Sequence, residues 1–326
     1  MSESPSRETT IAQASTLANN VLQEIKKVLI GQDAVIEQVL VTLIARGHVL
    51  IEGVPGLGKT LLVRSLAKCF GGQFARVQFT PDLMPSDITG HAMFNMAKQE
   101  FEIRRGPVFT NLLLADEINR APAKTQAALL EVMQEGQITI EGEPFKTDEP
   151  FMVLATQNPL EQEGTYPLPE AELDRFMLKV VIDYPQEAEE QQMLRQVSNQ
   201  VHGGFGLEGV RQILKPAHLL SLQKIATQIT ADDAVLNYVV RLVRATREWP
   251  GIARGAGPRA SIALLAAARA YALIHNHTFA TPEDVKKMYL PTLRHRVLLA
   301  PDMAIEGVEV DAVLQSVLQQ IDAPRS

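Results

Sequence analysis

The hydrophobic pattern divides the chain into two parts that meet near residue 186. In the first part, short apolar runs alternate with helical patterns. Each run is almost continuously hydrophobic, which is typical of parallel strands covered on both faces. The predicted strands are Val49–Glu52, Ala75–Phe79, Leu112–Ala115, Phe151–Ala155 and Met177–Ile182. The pattern therefore predicts a doubly wound α/β domain with a five-stranded parallel sheet over residues 17–185.

Helices and two inserts separate these strands. Apolar positions at helical spacing predict Asp33–Ile44 and Ala123–Gln134 as helices. Gly90–Gly106 and Gln137–Lys146 each carry two short arms around a turn, which predicts two β-hairpins. Phe94, Phe101 and Phe145 lie on these arms, where they either line a pore or pack within the hairpins.

The second part, residues 186–326, shows only helical periodicity and predicts a smaller, all-helical domain. Its predicted helices are Leu219–Ile229, Ala234–Glu248, Ser261–His275, Pro282–Tyr289 and a final amphipathic helix from Val310. At the other end of the chain, Met1–Thr10 has no apolar core. We therefore expect no signal peptide and predict a flexible tail over residues 1–16.

Composition narrows the classes of protein that remain. Hydrophobic residues make up 46% of the 326 positions, and no run approaches the roughly 18 apolar residues of a membrane span. The formal net charge of −7 argues against a duplex-binding protein, which normally shows a basic stripe. The single cysteine, Cys69, forbids an internal disulfide and suits a reducing cytoplasm.

The segment Gly53–Thr60 fits the pattern G-x-x-x-x-G-K-[ST] and lies between a predicted strand and a helical pattern. Glycines let successive backbone N–H groups surround phosphate oxygens at a helix N-terminus. We expect Lys59 to reach the β- and γ-phosphates and the Thr60 hydroxyl to ligate Mg²⁺. The segment predicts a nucleoside triphosphate site whose binding residues are Gly53, Val54, Pro55, Gly56, Leu57, Gly58, Lys59, Thr60 and Leu61.

Polar groups follow two further strands. Asp116 and Glu117 end the run beginning at Leu112, at the strand end where open α/β sheets bind ligands. We expect Asp116 to hold the Mg²⁺ shell and Glu117 to orient and deprotonate the attacking water. Asn158 follows the next strand, and its amide is suited to sensing the γ-phosphate.

Three long runs together resemble the MoxR family of AAA+ ATPases: Gly53–Thr60, Leu114–Gln126 and Ala155–Phe176. The likeness extends to Gly257–Ala260 and Leu293–Arg296, so it covers nearly the whole chain after the tail. The resemblance implies an AAA+ nucleotide-binding core followed by a helical lid domain.

The resemblance also implies roles that spacing alone does not assign. Ile30 and Gly31 match a segment that packs around adenine. Arg175 matches the arginine finger that a subunit projects into its neighbour's site. Arg259 matches the second sensor, which contacts the γ-phosphate and couples the lid to it. Arg120, Arg294 and Arg296 receive no role.

A Mg²⁺-dependent ATPase that forms a ring, with a hexamer as the expected form, is the function that the resemblance implies. Its task would be chaperone-like remodelling or maturation of a protein client, with a partner that bears a von Willebrand factor A domain. Two alternatives stay open: a nucleic-acid-stimulated motor, which the acidic balance disfavours, and a nucleotide-gated scaffold without turnover, which Glu117 disfavours.

Overall fold

The computed structural model describes residues 7–54, 56–158, 164–198 and 206–324. The helices are α1 (Arg7–Lys26), α2 (Asp33–Ile44), α3 (Lys59–Phe70), α4 (Pro85–Thr89), α5 (Ala123–Glu135), α6 (Glu170–Leu173), α7 (Glu187–Ser198), α8 (Pro216–Gln228), α9 (Asp233–Ala245), α10 (Pro258–Ile274), α11 (Pro282–Leu293), α12 (Pro301–Ile305) and α13 (Val310–Gln320). The strands are β1 (Val49–Glu52), β2 (Phe74–Gln78), β3 (Gly90–Asn95), β4 (Glu100–Arg105), β5 (Leu112–Asp116), β6 (Gln137–Ile140), β7 (Glu143–Lys146), β8 (Met152–Gln157), β9 (Leu178–Val181), β10 (Ile252–Arg254) and β11 (Leu298–Leu299).

The central sheet has five parallel strands in the order β2-β5-β8-β1-β9. Each strand corresponds to one of the predicted apolar runs, with small differences at the ends. β8 lies between β1 and β5, so that Leu154 pairs with Val49 on one side and Leu114 on the other. The predicted α/β domain is therefore confirmed.

The continuous hydrophobic runs arise because the sheet is covered on both faces. Along β5, Leu112 and Leu114 pack into one buried cluster, whereas Leu113 and Ala115 pack into a second cluster on the opposite face. All four side chains are completely buried. Burial of each leucine contributes about 1.5–3 kcal/mol, so neither face tolerates a polar residue until the strand ends at Asp116.

Both predicted hairpins are present. β3 pairs with β4 and β6 with β7, each in antiparallel register. Phe94 and Phe101 face each other across the first hairpin, with their ring centroids 5.2 Å apart in an edge-to-face arrangement. The second ring pair, Phe109 and Phe145, joins the other hairpin to the core beneath it.

The second domain is helical, with α8 to α11 and α13 confirming the predicted helices. The expectation that it contains helices alone is wrong in one detail. β10 and β11 form a small antiparallel ribbon in which Ile252 pairs with Leu299. Strands of three and two residues are too short to show an alternating pattern, which is why the sequence did not reveal them. No helix in the described part of the chain is long and apolar enough to cross a membrane.

The prediction of a flexible tail over residues 1–16 is wrong from Arg7 onward, because α1 begins there. Ile11 and Ala14 are buried, and the Ser15 hydroxyl donates a 2.8 Å hydrogen bond to the carbonyl of Ile274 at the end of α10. These apolar positions continue at helical spacing along α1, so the helix docks on the lid domain. Residues 1–6 lie outside the described residues.

A buried carboxylate joins α1 to the segment that precedes α8. Glu24 is only 3% exposed, and its two oxygens accept hydrogen bonds from the backbone N–H and the guanidinium of Arg211 at 2.8–3.2 Å. Lys27 donates to the same carboxylate. Hydrogen bonds from Arg211 first, and then from Lys27, lower the pKa of Glu24 to about 2.

We predict that Glu24→Gln lowers the free energy of unfolding at neutral pH by about 1–3 kcal/mol, because charge-assisted hydrogen bonds to a buried group are lost. The pKa of Glu24 lies below its unfolded value of 4.5, so the contribution of this carboxylate is present above pH 4.5 and disappears as the pH falls toward 2. Urea denaturation across this range measures both effects. Part of the acid destabilisation of the parent protein should be missing in the variant.

The matched control is Glu283→Gln, which removes one member of an exposed ion pair with Lys286. Exposed pairs contribute about 0–1 kcal/mol, so this change should leave the denaturation curve nearly unaltered. Equal effects of the two substitutions would contradict the role assigned to Glu24.

Candidate nucleotide-binding site

The candidate residues meet where β1, β5 and β8 end at the same edge of the sheet. They surround a cleft of about 470 Å³. Its lining residues are Gly56, Gly58, Lys59, Thr60, Leu61, Arg64, Arg76, Gln78, Asp116, Glu117, Thr156 and Asn158. The structure thus brings together the glycine loop, the acidic pair and Asn158, as the sequence predicts.

The glycine loop runs directly from β1 into α3, which begins at Lys59. Gly56 and Gly58 have φ angles of +88° and +79°, in the left-handed region that residues with a side chain rarely adopt. A Cβ on Gly58 would also lie 2.8 Å from Leu29 Cδ1. The N-terminus of α3 therefore opens into the cleft, as phosphate binding requires. Pro55 lies outside the described residues.

Lys59 projects from the first turn of α3 back over the loop. Its ammonium donates a hydrogen bond to the carbonyl of Gly53. Burial lowers the pKa of Lys59, while the carboxylates of Asp116, Glu117 and Glu52 act in the opposite direction. A cation held between the loop and the carboxylates is placed for contact with the terminal phosphates.

Thr156, at the end of β8, joins the two acidic residues. Its hydroxyl donates a 2.6 Å hydrogen bond to Asp116 Oδ1 and accepts one of 2.9 Å from the backbone N–H of Glu117. Glu117 has φ 56° and ψ 50°, a left-handed conformation that is uncommon for a non-glycine residue and typical of functional sites. Thr156 therefore fixes the turn at Glu117, so that the carboxylates of Asp116 and Glu117 point in different directions.

Sequence reasoning missed the cationic and amide groups that hold these carboxylates. Arg76 donates to Asp116 Oδ2 at 2.6 Å, and Gln78 donates to Glu117 Oε2 at 2.7 Å. The Nε of Arg120 lies 3.0 Å from the same Glu117 oxygen. The available signal was the alternation of polar Arg76 and Gln78 along β2, which adjoins β5 in the sheet.

The oxygen donors at the cleft fit the metal predicted from the sequence. Thr60 supplies a hydroxyl and Asp116 a carboxylate, and both line the cleft. Mg²⁺ is normally bound by one or two protein oxygen ligands together with substrate phosphates and water. Asn158, 7% exposed, lines the same cleft beyond β8. Magnesium binding stays a prediction, and the donor set suits it.

Ile30 and Gly31 line a neighbouring depression of about 450 Å³ together with Glu189 of α7. This depression adjoins the glycine loop, because the Gln32 amide donates a 2.9 Å hydrogen bond to the carbonyl of Leu57. A Cβ on Gly31 would lie 2.5 Å from Glu189 Oε2. The adenine role stays a prediction, with a space beside the loop that could receive the base.

The two arginines assigned by resemblance lie outside the cleft of their own chain. Arg259, in the first turn of α10, is exposed and lines a separate pocket of about 540 Å³ with Gln157 and Lys179. Arg175 donates a 2.8 Å hydrogen bond to the carbonyl of Leu130 in α5. Arg259 does not line the cleft of its own chain, and its contact with the γ-phosphate stays a prediction.

Comparison with known proteins agrees with this geometry. The family model for the ATPase family associated with various cellular activities matches residues 48–178, and the AAA lid domain model matches residues 244–317. The fold and the site together define an AAA+ ATPase.

Relatives along the whole chain narrow the class further. Chaperone MoxR1 of Mycobacterium tuberculosis is 44% identical over 96% of this chain and 84% of its own length. Protein MoxR of Methylorubrum extorquens is 30% identical over 93% and 94%. A candidate ATPase of Cytophaga hutchinsonii, known from a crystal structure, is 40% identical with a TM-score of 0.89 over 97% of both chains. The chain belongs to the MoxR family of AAA+ ATPases, which confirms the resemblance seen in the sequence.

We predict that Lys59→Ala and Glu117→Gln separate nucleotide binding from hydrolysis. Lys59→Ala should weaken ATP binding by about 10²-fold, because charge-assisted contacts of about 1.5–3 kcal/mol each are lost. Glu117→Gln should keep ATP affinity and reduce turnover by roughly 10²–10⁴-fold, the usual contribution of a general base. Calorimetric titration and phosphate release measure the two quantities. A similar loss of affinity in both variants would contradict these roles.

We predict that Thr156→Val lowers kcat by about tenfold, since it removes one hydrogen bond to each acidic residue while keeping the shape of the side chain. Steady-state phosphate release measures the effect. The matched control is Thr42→Val in α2, whose hydroxyl donates only to the carbonyl of Gln38 within its own helix. An unchanged kcat in Thr156→Val, or an equal loss in both variants, would show that the bridge has no catalytic consequence.

Proposed function

We propose that this ATPase forms a homo-oligomeric ring, with a hexamer as the expected form, that hydrolyses ATP between subunits. The work of hydrolysis would be chaperone-like remodelling or maturation of a protein client, together with a partner that bears a von Willebrand factor A domain. The observation that carries the proposal is the position of Arg175. Because Arg175 lies outside the cleft of its own chain, it would act as a finger only by entering the cleft of another chain.

The hydrolytic step within this proposal is the in-line attack of water on the γ-phosphate. The amides of the glycine loop and Lys59 hold the phosphates, and Glu117 orients the water and accepts its proton. Thr60 and Asp116 would hold Mg²⁺, which supplies charge neutralisation at the phosphate oxygens when bound. Because phosphoryl transfer needs little covalent help from a protein, positioning and electrostatic stabilisation supply most of the rate.

The local surroundings of Arg175 support a function in assembly. The side chain is half-buried, and its Nε has no hydrogen-bond partner among the residues that the structure describes. A buried donor without a partner is costly, so a rearrangement of this side chain that turns the Nε toward an acceptor would be favourable. A triphosphate of an adjoining subunit would offer such acceptors.

The hairpin of β3 and β4 supports contact with a protein client. Met93 and Phe94 are each 48% exposed, Phe101 is 73% exposed, and Met96 at the turn is 87% exposed. An apolar group of this kind on a projecting hairpin is typical of a protein-binding surface, and flexible methionines suit variable sequences. One relative, MoxR1, is named a chaperone, in agreement with this proposal.

A reducing compartment, the cytoplasm, is part of the same proposal. Cys69 is the only cysteine of the chain and is fully buried in α3. Burial raises the pKa of its thiol to about 12, so it stays protonated and unreactive. Such a residue serves packing, and the chain has no second cysteine with which it could form the internal disulfide that an oxidising environment favours.

We predict that Arg175→Ala reduces hydrolysis by roughly 10³–10⁵-fold, the range known for arginine fingers, with ATP affinity nearly unchanged. Mixing Arg175→Ala subunits with Lys59→Ala subunits, each inactive alone, should restore part of the activity. At some interfaces an intact glycine loop then meets an intact finger from its neighbour. Phosphate release measured across mixing ratios reports this recovery.

Subunit exchange has to be demonstrated in the same mixtures, for example by energy transfer between labelled subunits. Light scattering with a slowly hydrolysed ATP analogue shows whether nucleotide drives assembly, as an interfacial site requires by mass action. A mixture that exchanges subunits and stays inactive at every ratio would disprove the function of Arg175 in trans. A chain that is monomeric and fully active would disprove the ring.

A further inference from the structure

The short stretch that carries Arg175 is bound by two consecutive side chains of the lid domain. We name Asp174–Met177, between α6 and β9, the finger segment. His295 and Arg296 follow the end of α11, about 120 positions further along the chain, and both reach the backbone of this segment. Neither residue receives a role from the sequence analysis.

Arg296 uses four of the five N–H groups of its guanidinium in this contact. Its Nε donates to Asp174 Oδ1 at 2.6 Å, and its two amino groups donate to the carbonyls of Asp174, Phe176 and Met177 at 2.7–3.2 Å. The remaining N–H donates to the carbonyl of Thr292 within the lid. The side chain is only 3% exposed. A planar fork with five donors is thereby saturated, which an ammonium group could not reproduce.

His295 adds a second contact from the lid. Its Nε2 lies 2.9 Å from the carbonyl oxygen of Phe176 and must donate, because a carbonyl only accepts. Burial, together with the charge of Arg296, holds the pKa of His295 well below its usual value. The imidazole is therefore neutral, and Phe176, itself fully buried, is fixed from the lid side.

Stability alone is a weak reason for this arrangement. Replacing a buried ion pair by apolar residues of similar volume is often neutral or stabilising. The lid already has other contacts with the first domain, such as the hydrogen bond from Arg294 to the carbonyl of Lys179 in β9 and the ion pair of Arg254 with Glu170 in α6. What Arg296 adds is a fixed orientation of the backbone on both sides of Arg175.

We propose that Arg296 is a positioning residue for the arginine finger. It fixes the position of the finger segment relative to the lid, so that the orientation of one subunit's lid determines the position of Arg175 at the neighbouring ATP site. This inference rests on the proposed function, in which Arg175 acts in trans. It assigns a mechanical connection between the lid of one subunit and hydrolysis in the next.

The first test is Arg296→Lys, which keeps the charge beside Asp174 and loses the fork. A misplacement of about 1 Å can lower a rate by about 10²-fold, and we expect a fall in kcat of this size with ATP affinity unchanged. The double variant Arg175→Ala/Arg296→Lys should be no slower than Arg175→Ala alone, because Arg296 acts through Arg175. Independent, multiplicative losses would overturn the proposal.

The second test is mixing with Lys59→Ala subunits, which have an intact finger segment and an inactive site. Arg296→Lys subunits keep an intact glycine loop, so activity should rise above the sum of the separate samples. If Arg296→Lys instead damaged the fold of its own chain, an intact neighbouring subunit would not restore the lost activity. No gain in mixtures that exchange subunits would overturn the proposal.

Control variants separate the possible failures. Arg241→Lys alters a lid arginine whose partners, the carbonyl of Asp322 and the ring of Tyr238, also lie in the lid, and should leave kcat unchanged. If thermal unfolding shows that Arg296→Lys is not folded, the same tests are made with Asp174→Asn, which alters the other partner of the ion pair. If mixing with Lys59→Ala subunits restores activity to Arg175→Ala but not to Arg296→Lys or Asp174→Asn, the inference about Arg296 is rejected and the proposed function stands. If mixing restores activity to none of these variants, the proposed function itself is rejected.

Discussion

The position of β8 between β1 and β5 is the constraint on which the site depends. Three parallel strands that run in the same direction deliver the glycine loop, the acidic pair and Asn158 to one edge of the sheet. Because side chains alternate along a strand, Thr156 reaches Asp116 only in this register. A slip of one residue would place Gln157 or Ala155 there and turn the hydroxyl to the other face.

Charge at this edge is balanced locally and not by the chain as a whole. Arg76 pairs with Asp116, Arg120 with Glu117, and Lys179 with Glu52 at the end of β1. The acidic balance of the chain therefore argues against a basic surface for duplex nucleic acid, but it says nothing about a pocket for phosphate. Backbone amides of a loop and a few cations inside the cleft suffice, and these contribute little to net charge.

How far the sequence predicts the structure depends on the length of chain that carries each signal. Runs such as Leu112–Ala115 predict strands well because burial on both faces forces continuous hydrophobicity. α1 was missed although Ile11, Ala14 and Ala18 show helical spacing, since the polar residues before them suggested a tail. Arg76 was missed because its partner, Asp116, lies forty positions away and only strand pairing brings the two together. Arg296 is the extreme case, because every contact with the finger segment depends on how the two domains pack.

Arg259 and Arg296 of the lid differ in burial, and this difference decides which of them connects the two domains more rigidly. Arg259 is exposed, so it moves with little resistance. Arg296 is buried in several charge-assisted hydrogen bonds, each of about 1.5–3 kcal/mol, to the stretch around Arg175. Coupling between ligand sites is typically about 1–3 kcal/mol, less than the sum of these bonds. Under the proposal for Arg296, a turn of the lid driven by coupling of this size would leave these hydrogen bonds intact and would carry the stretch around Arg175 with the lid.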